Sequence, residues 1–379
     1  MSIGILGSRG GSATPSHPYL YLPDGWDTGW KAAKAASGTT PCWVTAWGDS
    51  ITAGNASTYY LTNGYLGIIR SSLIASLGAY ADFHIATLGN ANNSVNTPVL
   101  PFTYSAGWSI VGQTGFGSSM QTTTAAATLT YVSPNACIGL DILYHDRFTG
   151  TPGFSYTVDG GSSVNVNQTA SGIKRITIRG LSNAAHTIVI TFQSAAINII
   201  GCVSYQSLTS GVGIGNCGIG SQQSSAWLLL AQQLIFAERA TGMTAPFGIP
   251  TGAALTILAM GINDCAAGAV GPEQYYQTYS RVIQAIRRRD QAASILLLAP
   301  SLPNVSFSDM TSGSFGNPGD WPVYVNANQR LARDWNCAFF NVNAKWGTTS
   351  VAQGFHAGVD GHPTNAGHVD IGTTILGVL

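Results

Sequence analysis

The sequence predicts an α/β fold, a parallel sheet layered with helices and interrupted by a β-sandwich. Three observations carry this. Apolar strands and helical periods alternate over residues 207–379, which is the pattern of a parallel sheet. Residues 107–206 instead hold many short alternating runs with no helix between them, the texture of a sandwich. The run Trp43-Val44-Thr45-Ala46-Trp47 stops abruptly in Gly48-Asp49-Ser50, as a buried strand does when it delivers a side chain to the edge of its sheet. The expected divisions are an N-terminal arm (1–40), a first α/β segment (41–106), an inserted sandwich (107–206) and a second α/β segment (207–379).

Each element follows from local pattern. The arm is rich in Gly, Ser and Pro, with one amphipathic piece over 26–36, and is expected to pack on the body or attach it to something else. After Ser50, Leu66, Ile68, Ile69, Leu73 and Leu77 recur at helical spacing. A strand is expected over 83–86, with His84 structural. The sandwich strands are expected at 127–132, 138–144, 154–158, 176–178, 186–192 and 197–200. Asp159-Gly160-Gly161 is a hairpin signal between two of them. Residues 215–221 read as a glycine-rich loop before a helix over 224–241. Then come a strand over 255–259 and a helix over 272–288, with Pro272 in its first turn and arginines in its last. A strand over 294–298, a helix over 321–334, a strand over 338–342 and a helix over 364–376 complete the chain.

Composition narrows the function. Only 8% of the 379 residues are charged, and the net charge is zero, which gives no basis for binding nucleic acid or an anionic membrane surface. No apolar run reaches the length of a membrane span. The first residues lack the basic start and apolar core of a signal peptide. With 46 glycines and few charges, the chain fits an extracellular or virion-exposed protein. Cys42, Cys137, Cys202, Cys217, Cys265 and Cys337 are scattered without Cys-x-x-Cys spacing. Buried thiols are expected rather than a metal site, with a Cys137–Cys202 pair left open.

Three segments are expected on one edge of the sheet: Gly48-Asp49-Ser50, Gly261-Ile262-Asn263-Asp264 and Asp360-Gly361-His362-Pro363. Ester hydrolysis by a serine needs a base beside its hydroxyl and donors aimed at the developing oxyanion. Ser50, His362 and Asn263 are of those types, and a fourth segment, Gly215 to Ser221, supplies backbone N–H groups.

In these blocks and their order the chain resembles the SGNH hydrolases, the GDSL-type esterases, over about residues 40–90 and 207–379. The resemblance implies a flavodoxin-like parallel sheet with helices on both faces. It implies Ser50 as nucleophile and His362 as base. The oxyanion hole would be the Ser50 N–H, a block-two glycine N–H and the Asn263 side chain, with no cofactor and no metal. The family places an aspartate three residues before the histidine, where this chain has Val359; Asp360 is the candidate orienter, and a Ser–His dyad is the alternative. Where the family has a glycine five residues after the block-two asparagine, this chain has Ser221; Gly220 is expected to donate, with Gly218 in reserve and Gly89-Asn90 competing. Asp49 and Asp264 are expected to brace their own loops, His368 to pack on the last helix and His356 to be an exposed loop residue.

The inserted segment resembles the jelly-roll carbohydrate-binding modules that accompany some of these esterases. Its aromatics Tyr131, Tyr144, Phe154, Tyr156 and Tyr205 are expected to divide between its core and, with Trp108, an apolar platform for sugar rings beside the cleft. The expected function is hydrolysis of an ester, an O-acetyl or other short-acyl group on a carbohydrate. The alternatives are a small-ester or lipid esterase, and a glycan-binding surface or virion protein on a relic hydrolase fold.

Overall fold

A computed structural model describes residues 18–54, 57–58, 60–86, 101–112, 118–146, 149–169, 172–194, 196–220, 222–225, 227–228, 255–267, 270–301, 321–356 and 361–379. The chain opens with β1 (Leu20–Tyr21), α1 (Thr28–Ala36) and β2 (Cys42–Gly48). The helices α2 (Ser50–Ala53), α3 (Tyr60–Asn63) and α4 (Tyr65–Leu77) lead into β3 (Ala79–Ile85). Ten strands follow: β4 (Phe102–Tyr104), β5 (Trp108–Gly112), β6 (Ser118–Thr122), β7 (Thr128–Val132), β8 (Cys137–Asp146), β9 (Thr149–Val158), β10 (Val164–Thr169), β11 (Gly172–Ala184), β12 (Thr187–Phe192) and β13 (Ile197–Tyr205). The remainder is β14 (Val212–Gly218), β15 (Leu255–Ala259), α5 (Ile262–Ala267), α6 (Pro272–Arg289), β16 (Ser294–Ala299), α7 (Trp321–Asp334), β17 (Ala338–Asn341), α8 (Val342–Trp346) and α9 (Asn365–Leu376). The expected helix over 224–241 lies mostly outside the described residues; Ser224, Ser225, Trp227 and Leu228 are helical. Gly89-Asn90 also lies outside them.

Twelve strands form one sheet whose main path runs β1-β17-β16-β15-β2-β14-β3-β13-β6-β5. From β17 to β3 every pairing is parallel. The five strands β14-β2-β15-β16-β17 carry the 2-1-3-4-5 order of doubly wound sheets of the flavodoxin type, and β3 adds a sixth outside β14. The order reverses at β2: the chain next enters this set on one side of it, at β14, and then on the other, at β15. The carboxyl end of β2 is therefore the switch point at which such sheets bind ligands. Helices cover both faces. Tyr275, Tyr279, Val282 and Ile283 of α6 and Tyr324 and Leu331 of α7 pack with Trp43, Trp47 and Leu258. On the other face Trp30 of α1, Leu66 and Ile69 of α4 and Ile371 and Ile375 of α9 pack with Val44, Ile257 and Leu298. Of the N-terminal segment, the described residues from 18 onward belong to this body: β1 adds an antiparallel edge to β17, and the backbone N–H of Trp30 donates to Ser294 Oγ at 2.9 Å.

Two expectations are corrected here. Residues 215–218 are not a loop but the second half of β14, which lies between β2 and β3. Its glycines are there for close packing: a Cβ on Gly213 would come 2.6 Å from the Trp43 ring, and one on Gly218 would overlap the backbone of Ala53. Nor do residues 107–206 form a sandwich closed on itself. A five-stranded sheet, β10-β9-β12-β7-β4, packs through Leu129, Phe154, Ile188 and Ile190 against Leu140, Ile142, Ile199 and Cys202 of β8 and β13. Those last two strands belong to the main sheet, because β13 pairs antiparallel with β3 from Gly201 to Tyr205. The residues of β13 are buried throughout, as in a strand covered on both faces. Past the point where β3 ends at Ile85, β6 takes over the same edge of β13, pairing with Ile197 to Ile199. The β5–β6 hairpin thus stands beyond the carboxyl edge of β3. The six cysteines are buried and none forms a disulfide. Among the described residues no helix is long and apolar enough to cross a membrane.

Candidate active site

Ser50 owes its place to a turn that only certain residues can make. Gly48 ends β2 at a point where a Cβ would overlap Thr52 Oγ1 and come 2.5 Å from the carbonyl oxygen of Ala259. Asp49 then caps α2: its backbone is extended, and its carboxylate accepts the Ile51 N–H at 2.9 Å. Ser50 is the first residue of that one-turn helix and is half-buried. Gly54 closes the turn with a left-handed φ of 89°, a conformation that favours glycine. Asp49 therefore braces the turn as expected, but one of its oxygens, Oδ2, is buried without a hydrogen-bond partner among the described residues. Burial pushes its carboxyl up to about 6, against the lowering effect of the Ile51 N–H and of the nearby His362, with Asp264 adding to the rise.

His362 arrives from the far end of the chain. Its Nε2 lies 2.7 Å from Ser50 Oγ, across 312 residues of sequence. The loop that carries it is anchored on both sides. Thr364 caps α9, its Oγ1 accepting the Gly367 N–H at 3.3 Å and its N–H donating to Phe355 O at 2.8 Å. Pro363 bridges to His356 in antiparallel fashion. His356 is buried, not exposed as expected, and meets Trp346 edge-on at 5.1 Å. Asp360 lies outside the described residues.

The other two segments are tied to each other and to the nucleophile turn. Ile219 N–H donates to Gly48 O at 2.9 Å, which brings Gly220 against that turn. The Gly218 N–H is engaged with Asn216 Oδ1 at 2.9 Å, so of the two glycines it is the one whose donor is already used. Asn263, in the first turn of α5, is half-buried and donates one amide N–H to Gln222 O at 3.1 Å. A primary amide has a second N–H to offer. Asp264 accepts from the Ser224 N–H and, at 2.7 Å, from Ser224 Oγ. It holds a segment 40 residues away as well as meeting its own backbone N–H, and burial raises its carboxyl. Gln222 and Ser224 were not singled out by sequence reasoning; the adjacent Asn263-Asp264 pair was their one local signal. Gly261, at φ 115°, meets the hydroxyl of Tyr275 where a Cβ would stand.

His84 and His368 are structural, as expected. His368 Nδ1 accepts the Tyr65 N–H at 3.3 Å, and its ring stacks on Tyr65. His84 faces Tyr131 Oη at 3.2 Å, and burial lowers it to about 4. The expected aromatic platform is corrected: Tyr131, Tyr144, Phe154 and Tyr205 are all buried, held by packing between the layers, with Tyr205 Oη donating to Asp141 at 2.8 Å.

No family model matches the sequence. No curated protein matches it either. Among solved structures the chain is similar to a peptidoglycan O-acetylesterase, with a TM-score of 0.65 and 18% identity over 93% of this chain and 94% of that one. Two family two carbohydrate esterases overlap far less. One, from Cellvibrio japonicus, has a TM-score of 0.28 and 12% identity over 78% of this chain and 96% of that one. The other, from Clostridium thermocellum, has a TM-score of 0.29 and 12% identity over 73% and 100%. Sheet order, the serine at the switch point and the first of these likenesses agree: the chain has the fold of an SGNH-type esterase.

Proposed function

We propose that this chain is a serine ester hydrolase that removes O-acetyl or other short acyl groups from a carbohydrate. The observation that carries the reading is the 2.7 Å contact between Ser50 Oγ and His362 Nε2 at the switch point of the sheet. That is within the reach a general base needs. In the proposed reaction Ser50 Oγ attacks the ester carbonyl as His362 Nε2 takes its proton. The carbonyl oxygen becomes an oxyanion that receives hydrogen bonds from the Ser50 N–H, the Gly220 N–H and the second amide N–H of Asn263. The tetrahedral species collapses, and the sugar hydroxyl leaves with the proton held by His362. Water then attacks the acyl-Ser50 ester with His362 again as base, releasing the carboxylic acid and restoring Ser50. Asp360, two residues before His362 in the sequence, is the proposed orienter of the imidazole. The β5–β6 hairpin beyond the sheet edge is one wall of the cleft that receives the glycan.

The test is release of acetate from an O-acetylated polysaccharide and hydrolysis of p-nitrophenyl acetate. Ser50→Ala should abolish both, by on the order of 10⁴-fold or more. A Ser50→Ala protein that retained turnover would end the proposal. Asp360→Asn should cost orders of magnitude in kcat if Asp360 holds the imidazole; a loss below about tenfold would reduce the site to a Ser–His dyad.

A further inference from the structure

Ser50 and His362 sit on segments with no short covalent link, so something must hold them in register. The structure assigns that task to a clasp between Thr58 and Asn365, two positioning residues that set the distance between the nucleophile and its base. The inference rests on the proposed roles of Ser50 and His362.

The clasp is reciprocal. Asn365 Oδ1 accepts the Thr58 N–H at 2.8 Å, and Asn365 Nδ2 donates to Thr58 Oγ1 at 2.7 Å. Both amide atoms of one side chain are thus spent on one residue 307 positions away. Each partner is itself fixed to one half of the Ser–His pair. On the serine side, Ser57 N–H and Ser57 Oγ both donate to Gly54 O, and the Gly54 N–H donates to Ile51 O, so Ser57, next to Thr58, is tied back to the end of the Ser50 helix. On the histidine side, Asn365 opens α9 directly after the Thr364 cap and three positions after His362.

A second, buried route runs parallel to the first. His368, one turn further along α9, accepts the Tyr65 N–H. The Tyr65 hydroxyl meets Thr52 Oγ1 at 3.0 Å, inside α2. The first turn of α9 therefore grips the Ser50 helix at Thr52 through a buried relay and holds the segment after it at Thr58 through an exposed one. The buried relay is part of the core and serves stability. The exposed clasp buries little, yet it joins the segment that follows Ser50 directly to the helix that follows His362. Proton transfer requires the serine and histidine within hydrogen-bond reach, and a displacement of about 1 Å is enough to cost on the order of 100-fold in rate. A contact of this kind should show in the rate of Ser50 acylation and little in stability.

The experiment uses the full chain and a fluorophosphonate probe, following the rate constant for labelling of Ser50 together with kcat, KM and Tm. Asn365→Ala should slow labelling and kcat by about tenfold, by partial loss of alignment, with KM and Tm near wild type. Thr58→Ala should act in the same direction, Thr58→Ser should restore the wild-type rate, and the double Ala variant should be no slower than Asn365→Ala alone. Wild-type labelling rates in Asn365→Ala would overturn the clasp while leaving Ser50 as nucleophile. A wild-type protein that is not labelled at Ser50 would instead overturn the reading beneath it. If Asn365→Ala fails to fold, Thr58→Ala and Thr58→Ser decide: equal rates in the two overturn the clasp, and a slow alanine with a restored serine supports it.

Discussion

Asp49→Asn isolates one charge in the nucleophile turn. Asp49 is 1% exposed, and its carboxyl is raised from 3.8 to about 6, chiefly by burial. A carboxyl raised in the folded state favours the protonated form there. Its contribution to stability is therefore fully present below about pH 3.8 and is lost as the pH rises through about 6. At about 1.4 kcal/mol for each tenfold step in proton affinity, the loss amounts to about 3 kcal/mol by neutral pH. Asparagine keeps the cap, since its Oδ1 can accept the Ile51 N–H, and removes the charge. It also puts an amide N–H where Oδ2 has no partner among the described residues, a cost of about 1–3 kcal/mol that does not vary with pH. The informative quantity is thus the change in the difference between the two proteins with pH, not its value at one pH. Urea denaturation from pH 3.5 to 7.5 should show the wild type losing about 3 kcal/mol relative to Asp49→Asn, nearly all of it between pH 4 and 6. A difference that stays flat, or that moves in favour of the wild type as pH rises, would mean that the carboxylate is held ionised, and the argument from burial would fail.

Two further changes test neighbouring parts of the site. Asn263→Ala should lower kcat by roughly 10²–10³ with little change in KM, because an oxyanion donor acts once charge develops on oxygen; steady-state kinetics on p-nitrophenyl acetate would read this, and a change confined to KM would make Asn263 a substrate contact. Gly218→Ala drives a Cβ into the backbone of Ala53, which cannot give way as a side chain would. It should cost about 3 kcal/mol or more in stability, measurable as a lowered urea midpoint.

Much of the α/β half was legible because its signals are local. Trp43 to Trp47 reads as a strand, and Gly48, Asp49 and Ser50 read as its end, from propensity and turn chemistry alone. The α6 and α7 helices were bounded almost to the residue by Pro272 with its C-terminal arginines and by the apolar period from Trp321. What local pattern could not reach was anything decided by a distant neighbour. Val212 to Gly218 carries three glycines among seven residues and looks like a loop; it is a strand because Trp43 and Ala53 occupy the room its side chains would need. Ile197 to Tyr205 reads equally well as the last strand of a separate sandwich or as the join between two layers, and only its pairing with β3 decides. His356 has no neighbours in sequence that announce burial; the bridge to Pro363 and the Trp346 ring impose it. Of the site, Ser50, His362 and Asn263 were readable as residue types after strands, whereas the contacts around them, Thr58 with Asn365, Gln222 with Asn263 and Ser224 with Asp264, join segments that sequence separation conceals.

The position of β14 bears on how the chain can be assembled. Val212 pairs with Cys42 and Gly213 with Ala81, so β14 must lie between two strands that a ribosome has finished long before. Until it is made, β2 and β3 present facing edges with the right polarity for one another, and pairing them directly would shut β14 out. Closing such long loops is slow, since the entropy is lost before the distant contact can repay it. The strands of the 107–206 segment are synthesised in that interval, and β13 caps the outer edge of β3 immediately before β14 emerges. One edge of β3 can thus be satisfied while the other waits, which makes the long excursion between β3 and β14 a guard against premature pairing on at least one side of that strand.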